Sequence, residues 1–202
     1  MFDDYKEDSP RLLAKTHVDL HKIDPGPLVR KFRMAGIDET EYHGLDWREE
    51  YIHSRDMSWL KPALQWINDN YPSDEVRHGI IHGDLHPLNV IVKDGKVGGV
   101  VDWSSFKIED TSLDVATLYT VCTIVGPVLI PDFNWSGLID RFLDYYEEDM
   151  PLDERLFEYF RAYRVFIMLV DGERYDNAMR TPKILEGLLK TFRNITEIQL
   201  NP

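Results

Sequence analysis

His82-Gly83-Asp84-Leu85-His86-Pro87-Leu88-Asn89, followed further on by Val101-Asp102-Trp103, is the stretch from which this 202-residue chain is best read. Between the two pieces lie two β-branched runs, Val90-Ile91-Val92 and Val97-Gly98-Gly99-Val100-Val101, joined by Lys93-Asp94-Gly95-Lys96. Asp-Gly between such runs predicts a β-hairpin, because its tight turn needs positive φ. A hairpin closes on itself, so Asn89 and Asp102, 13 residues apart in sequence, should become neighbours at its open end. An amide oxygen and a carboxylate there suit Mg²⁺, which takes one or two protein oxygens and fills its shell with water and phosphate oxygens. Asp84, five residues before Asn89 in a loop, would sit where a substrate proton could be received beside the metal. Asp and Asn are also ordinary turn residues. It is the combination of all three in fixed order that favours chemistry over turn-making.

Outward from this centre the chain reads as helix. Ser9-Pro10 opens a helix whose Leu12, Leu13, Thr16, Leu20 and Ile23 fall near one face, and Asp24-Pro25-Gly26-Pro27 stops it. Pro62 to Asn70 predicts another helix, and a short one is placed near Asp46–Arg55. Ahead of the loop, Gly79-Ile80-Ile81 is a third β-branched run. Beyond the hairpin, 112–125, 136–148, 154–170 and 183–198 carry apolar residues at spacings of three and four. No repeat or linker divides the chain. The predicted class is α+β, dominated by helix, in a single domain over 1–202.

Composition narrows the function classes. With 43% hydrophobic residues the chain can bury a core, which excludes disorder as its main character. A formal charge of −13 argues against nucleic acid as a partner, since phosphate backbones are bound through Lys and Arg. Cys122 is the only cysteine, so no internal disulfide can form; it reads as apolar filler of a helix face. No segment with ~20 strongly apolar residues stands out as a membrane span, and the acidic start Met1-Phe2-Asp3-Asp4 is not a signal peptide. The expectation is a cytoplasmic protein with no membrane partner.

The ordered Asp84, Asn89 and Asp102 resemble the kinase catalytic loop and its following metal-binding Asp. His-Gly-Asp-Leu-His-Pro-x-Asn, a hairpin and then Val-Asp-Trp is similar in particular to the aminoglycoside phosphotransferase and choline kinase-like family. Asp110-Thr111-Ser112-Leu113-Asp114-Val115-Ala116 resembles that family's next element, and Leu12 to His21 the helix that opens its C-terminal lobe. The resemblance implies a protein-kinase-like, helical C-terminal lobe with a β-hairpin at the catalytic face. The catalytic and metal-binding segment would be 80–116 and the acceptor-side helices 117–202. It implies transfer of the γ-phosphoryl group of ATP or GTP to a hydroxyl of a small molecule. Asp84 would be catalytic, with His82 supporting it. Asn89 and Asp102 would hold Mg²⁺ against the nucleotide phosphates. His86 would assist at the nucleotide side and Asp114 would brace the loop.

The departure from the family pattern is at the N-terminus. The 81 residues before His82 show no G-x-G-x-x-G and no V-A-I-K-like strand, so the N-terminal lobe is expected to be absent. That leaves three readings: a phosphotransferase lobe completed by a separate N-terminal lobe or by self-association; a non-catalytic, kinase-like binding module; and a metallohydrolase built on His82-x-Asp84-x-His86. Asp140, Asp144, Glu147, Glu148, Asp149, Asp153 and Glu154 form an acidic run. It could attract an aminated acceptor, though a solvated helix face is the commoner origin of such a run. Trp135, Tyr145, Tyr146, Tyr159, Phe160, Tyr163 and Phe166 read as core.

Overall fold

The computed structural model describes residues 8–43, 52, 57–72, 78–175 and 177–202. Its helices are α1 (Ser9–His21), α2 (Gly26–Met34), α3 (Lys61–Asp69), α4 (Ser112–Thr120), α5 (Gly126–Leu129), α6 (Trp135–Glu147), α7 (Glu154–Tyr175) and α8 (Pro182–Thr196). Its strands are β1 (His78–Ile81), β2 (Val90–Lys93), β3 (Lys96–Val100) and β4 (Lys107–Asp110). The predicted helix near Asp46–Arg55 lies outside the described residues apart from Ile52, which is fully buried.

The hairpin forms as the sequence predicts. β2 and β3 pair antiparallel, and Asp94 (φ 52°) and Gly95 (φ 70°) both take the positive φ that a two-residue turn of this hand requires. A register irregularity between Ile91 and Val92 marks a bulge opposite Gly98 and Gly99. The second ribbon is not a hairpin. β1 pairs antiparallel with β4, Ile80 opposite Ile108, across the whole catalytic segment that lies between them in sequence. β4 reads Lys-Ile-Glu-Asp, with one apolar residue and no alternation, so only its partner defines it as a strand. This ribbon fixes the two ends of the loop-and-hairpin segment close together.

Two apolar clusters hold the helices. In one, Leu13, Ala14 and Val18 of α1 meet Leu138, Ile139, Phe142 and Tyr146 of α6. In the other, Leu64 and Ile67 of α3, Phe160 and Phe166 of α7, and Leu188 and Phe192 of α8 come together. α4 feeds both: Leu118 enters the first and Ala116 the second. A helix flanked on both sides must be buried nearly all round, and of α4 only Tyr119 is not. The same composition makes Ser112–Leu129 an 18-residue stretch long and apolar enough to cross a membrane, contrary to the expectation from sequence. In this fold 61% of it is packed inside the protein, and it carries Asp114 at its centre of polar contacts. A π-turn over Val121–Val125 interrupts its helix before Gly126.

The buried face of α1 also differs from the apolar face predicted. Leu13, Ala14, His17, Val18 and His21 point inward, while Ile23 is half exposed. Two histidines, polar by composition, take inward positions on this helix. His17 packs edge-on to Phe142 at 4.8 Å between ring centres and donates from Nδ1 to the Leu13 carbonyl (2.9 Å). Burial first, and the neighbouring His21 second, lower its pKa from 6.5 to about 4. Between those values the unfolded chain binds a proton that folded His17 refuses. Stability should therefore be full above about pH 6.5 and fall as the pH drops towards 4, by up to roughly 3 kcal/mol. Urea unfolding at pH 7 and pH 5 checks this. His17→Leu should lose most of that pH dependence, and an unchanged slope in the variant would assign it to other groups.

Candidate active site

The site begins at the first turn of α4. Asp114 is wholly buried there, and both of its oxygens accept hydrogen bonds. Oδ1 accepts the backbone N–H of Gly83 (2.7 Å), and Oδ2 accepts that of His82 (2.8 Å) and the Nε2–H of His21 (3.2 Å). His21 Nδ1 in turn meets the Tyr146 hydroxyl at 2.9 Å. Burial alone would push the Asp114 carboxyl up. The hydrogen bond and charge of His21, followed by His17 and the His82 amide, outweigh it and hold Asp114 below the usual carboxylate range. One carboxylate thus ties α1, α4 and α6 to the start of the loop. The loop can turn there because Gly83 takes φ +80°; a Cβ at that position would lie 2.1 Å from the Ser105 carbonyl oxygen.

From Gly83 onward backbone bonds stitch the loop to the hairpin. His82 Nε2–H donates to the Val101 carbonyl (2.9 Å), and its Nδ1 accepts the Asp84 N–H (3.3 Å). Its ring also packs against Trp103, 4.6 Å between centres. Asn89 Nδ2 donates to the Asp84 carbonyl (2.9 Å), and the Val101 N–H donates to the Asn89 carbonyl (2.9 Å). Asp102 follows directly in the left-handed region (φ 62°, ψ 62°), exposed, with Oδ1 accepting from the Ser104 hydroxyl (2.7 Å). Asp84 is therefore tied to Asn89 through the Asn89 side-chain amide, and Asn89 through its backbone to Val101, the neighbour of Asp102. The donors at the hairpin mouth are an amide and a carboxylate, hard oxygens of the kind Mg²⁺ takes. His82 and His86 have other work. Both ring nitrogens of His82 serve backbone groups, and His86 Nδ1 accepts the Leu88 N–H (3.3 Å). Among the described residues no three His, Cys, Asp or Glu side chains gather to hold a metal, so the His82-Asp84-His86 spacing does not build a transition-metal site.

Asp84 is the partly exposed carboxylate of the loop, and its two oxygens face two different bases. Arg164 Nη2 donates to Oδ1 (3.0 Å), and His86 Nε2 lies 3.5 Å from Oδ2. Arg164 Nη1 also reaches the Gly83 carbonyl (3.4 Å). Desolvation pushes the Asp84 carboxyl up, but the His86 bond and the Arg164 charge overcome it, so Asp84 stays ionised below the usual range. Sequence reasoning did not single out Arg164. The available signal was a lone cation at the head of Val165-Phe166-Ile167-Met168-Leu169-Val170, where a charge needs a buried partner. Beside Asp84 opens a cleft of about 310 Å³, walled by the π-turn, by α5 and by the end of α7. Of the aromatic residues read as core, Trp135, Tyr146, Tyr159, Phe160, Tyr163 and Phe166 are buried, Trp135 also touching the cleft, whereas Tyr145 is only partly buried, at the edge of the α1–α6 cluster with Arg11 over its ring. So is Cys122, whose thiol burial pushes up to about 12.

A profile of the phosphotransferase enzyme family matches residues 4–156. Hygromycin-B 4-O-kinase of Escherichia coli is 28% identical over 90 residues, 45% of this chain and 25% of its own length. Homoserine kinase of Methylocella silvestris is 37% identical over 57 residues, 28% of this chain and 17% of its own. The matches thus span a quarter or less of these curated relatives. Among solved structures, the streptomycin–ATP–APH(2″)-IIa ternary complex superposes with a TM-score of 0.57 at 17% identity, over 95% of this chain and 66% of that one. A putative aminoglycoside phosphotransferase from Ralstonia eutropha gives 0.54 at 15%, over 93% and 62%. The fold is that of these kinase-like enzymes.

The Asp114 clamp generates a stability prediction. Asp114→Ala leaves the His82 and Gly83 amides and His21 without their acceptor and should cost about 3 kcal/mol in urea unfolding. Asp114→Asn, which keeps one accepting oxygen, should cost less. Equal stability of Asp114→Ala and wild type would remove the clamp from the account.

Proposed function

Because this chain belongs to the phosphotransferase enzyme family, we propose that it is the acceptor-side lobe of an enzyme that moves the γ-phosphoryl group of ATP or GTP onto a hydroxyl of a small molecule. The observation that carries this reading is the linkage of Asp84, Asn89 and Val101-Asp102 through the 2.9 Å bonds of Asn89 Nδ2 to the Asp84 carbonyl and of Val101 N–H to the Asn89 carbonyl. Asn89 and Asp102 would hold Mg²⁺. Bound there, the ion would supply charge neutralisation to the transferring phosphate.

The residues of the chain do the rest by positioning. Asp84 accepts a hydrogen bond from the acceptor hydroxyl and aims its oxygen at the γ-phosphorus. The new O–P bond forms, the bond from that phosphorus to the bridging oxygen breaks, and the diphosphate leaves with the nucleoside. A carboxylate held below its usual range is a weak base, so Asp84 orients the hydroxyl early and takes its proton late, as the O–P bond forms. His86 and Arg164, one on each oxygen, keep its tip aimed. His82 and Asp114 hold the backbone beneath.

The chain spans 62–66% of the length of the solved relatives it superposes on, and a covering N-terminal lobe belongs to this proposal as a partner. Ile91, Val97, Val101 and Trp103 are 37–52% exposed along the hairpin and the turn after it, an apolar strip for that lobe to cover. The rival is a binding module without turnover. Titration calorimetry with Mg²⁺-ATP, on the 202-residue chain and on the same chain combined with a covering N-terminal lobe, separates the two. We expect weak binding by the first and phosphoryl transfer by the second, reduced about 10²–10⁴-fold in Asp84→Asn. Undiminished transfer in Asp84→Asn would overturn the catalytic assignment. Absence of nucleotide binding by both forms would favour the module.

A further inference from the structure

Away from the catalytic loop the fold brings two further histidines together. His43 and His78, 35 positions apart in sequence, stand with their ring centres 5.1 Å from one another. β4 is what joins them. The Tyr42 carbonyl accepts the Ile108 N–H (3.0 Å), which holds the segment ending in His43 against β4. β1 pairs with the same strand, and its first residue, His78, lies opposite Asp110.

The spacing suits chelation. Two imidazoles sharing one tetrahedral ion at ~2.0–2.1 Å have ring centres about 5 Å apart. Access suits it too, since His78 is exposed and His43 half-buried. His17 and His21 make the contrast: their rings lie 5.7 Å apart, but both are buried, and the two nitrogens of His21 already meet Tyr146 and Asp114. His43 is prepared as a ligand. Its ring donates a hydrogen bond to the Ile108 backbone, which fixes the ring and leaves the lone pair on its other nitrogen, the usual arrangement of a metal-bound histidine. Burial first, then the neighbouring His78, hold His43 below the ordinary histidine range, so at neutral pH the ring has no proton to displace. Charges around the pair are mixed. Glu39, already paired with Arg33, and Lys107 face His43, and Glu109, bonded to Tyr71, faces His78. Selection therefore comes from the imidazoles themselves. They suit zinc, copper and nickel, whereas Mg²⁺ takes oxygen.

We propose that His43 and His78 form a binding site for a dication of the zinc class, with water completing its coordination. The ion would clip the segment ending in His43 to the start of β1, and so to the ribbon that closes the base of the catalytic segment. This site is separate from the Asp84 loop and does not depend on the phosphotransfer reading.

Zinc titration of the tag-free 202-residue chain, followed by NMR of the histidine rings, tests it. The His43 and His78 signals should shift together and saturate at micromolar zinc, with His17 and His21 unmoved. Mg²⁺ at the same concentrations should leave all four in place. His78→Gln changes an exposed side chain, so the fold should survive while zinc binding weakens at least tenfold; His43→Gln should weaken it likewise. Zinc at hundredfold its Kd should raise Tm by about 5–10 °C, and the rise should vanish in His78→Gln. Saturation only at millimolar zinc, shifts confined to other histidines, or undiminished binding in His78→Gln would overturn the site. Tight binding with no rise in Tm would overturn the clip.

Discussion

A single buried carboxylate organises this molecule. Asp114 has no exposure, and a charge so placed is tolerable only when it is hydrogen-bonded and paired. Its three partners are the loop amides of His82 and Gly83 and the ring of His21 of α1, which reaches on to Tyr146 of α6. These are groups far apart in sequence, so the carboxylate converts helix packing into loop geometry. The left-handed turn at Gly83, the aim of Asp84 and the seat of Asn89 all follow from that anchorage. The cost is a polar cluster inside an apolar shell, and His17 reveals it: excluded from water and beside a second histidine, it is held neutral to about pH 4.

Around this anchor the two ribbons divide the labour. β2 and β3 carry Asn89 and Asp102 at their open end, and β1 with β4 closes the base of the whole segment. On the far side, α7 brings Arg164 against Asp84 and the π-turn of Val121–Val125 lines the adjoining cleft. Local departures from regular helix often accompany functional sites. Here the departure has a visible consequence, since it lets Gly126 close on Trp135 and opens an apolar wall beside a carboxylate. Asp84 thus sits between the loop that carries Asn89, to which its carbonyl is bonded, and a cleft with a largely hydrocarbon wall, its own two oxygens meeting Arg164 and His86.

Much of this was legible in the chain and some was not, for reasons that differ by element. The hairpin was legible because an Asp-Gly turn enforces positive φ whatever surrounds it. α3, α6, α7 and α8 were legible from apolar spacing, to within two residues except for the end of α7. β4 was not, because Lys-Ile-Glu-Asp has no strand pattern and becomes a strand only opposite β1. α2 was missed too; its inward side is short, Leu28, Val29 and Phe32 being only partly buried, with Phe32 packed on Tyr42 and Phe106. The inward face of α1 was misjudged because counting apolar residues leaves out histidine, and here the histidines are what the interior needs. Arg164 was invisible for the opposite reason. Its significance lies in a contact 80 residues away in sequence, which no spacing rule reaches.

What the sequence determined by itself was the chemistry on offer: three oxygen-bearing side chains in fixed order around a β-turn, a family pattern, and helices enough to bury them. Those are local properties, set by backbone preference and residue type within a few positions. What only the tertiary structure decided was the setting of that chemistry. Burial made Asp114 a clamp, pairing with Arg164 and His86 kept Asp84 ionised, and the turn of α4 into α5 lined the neighbouring cleft with hydrocarbon. Each depends on desolvation and on partners distant along the chain, and those quantities exist only once the helices have packed.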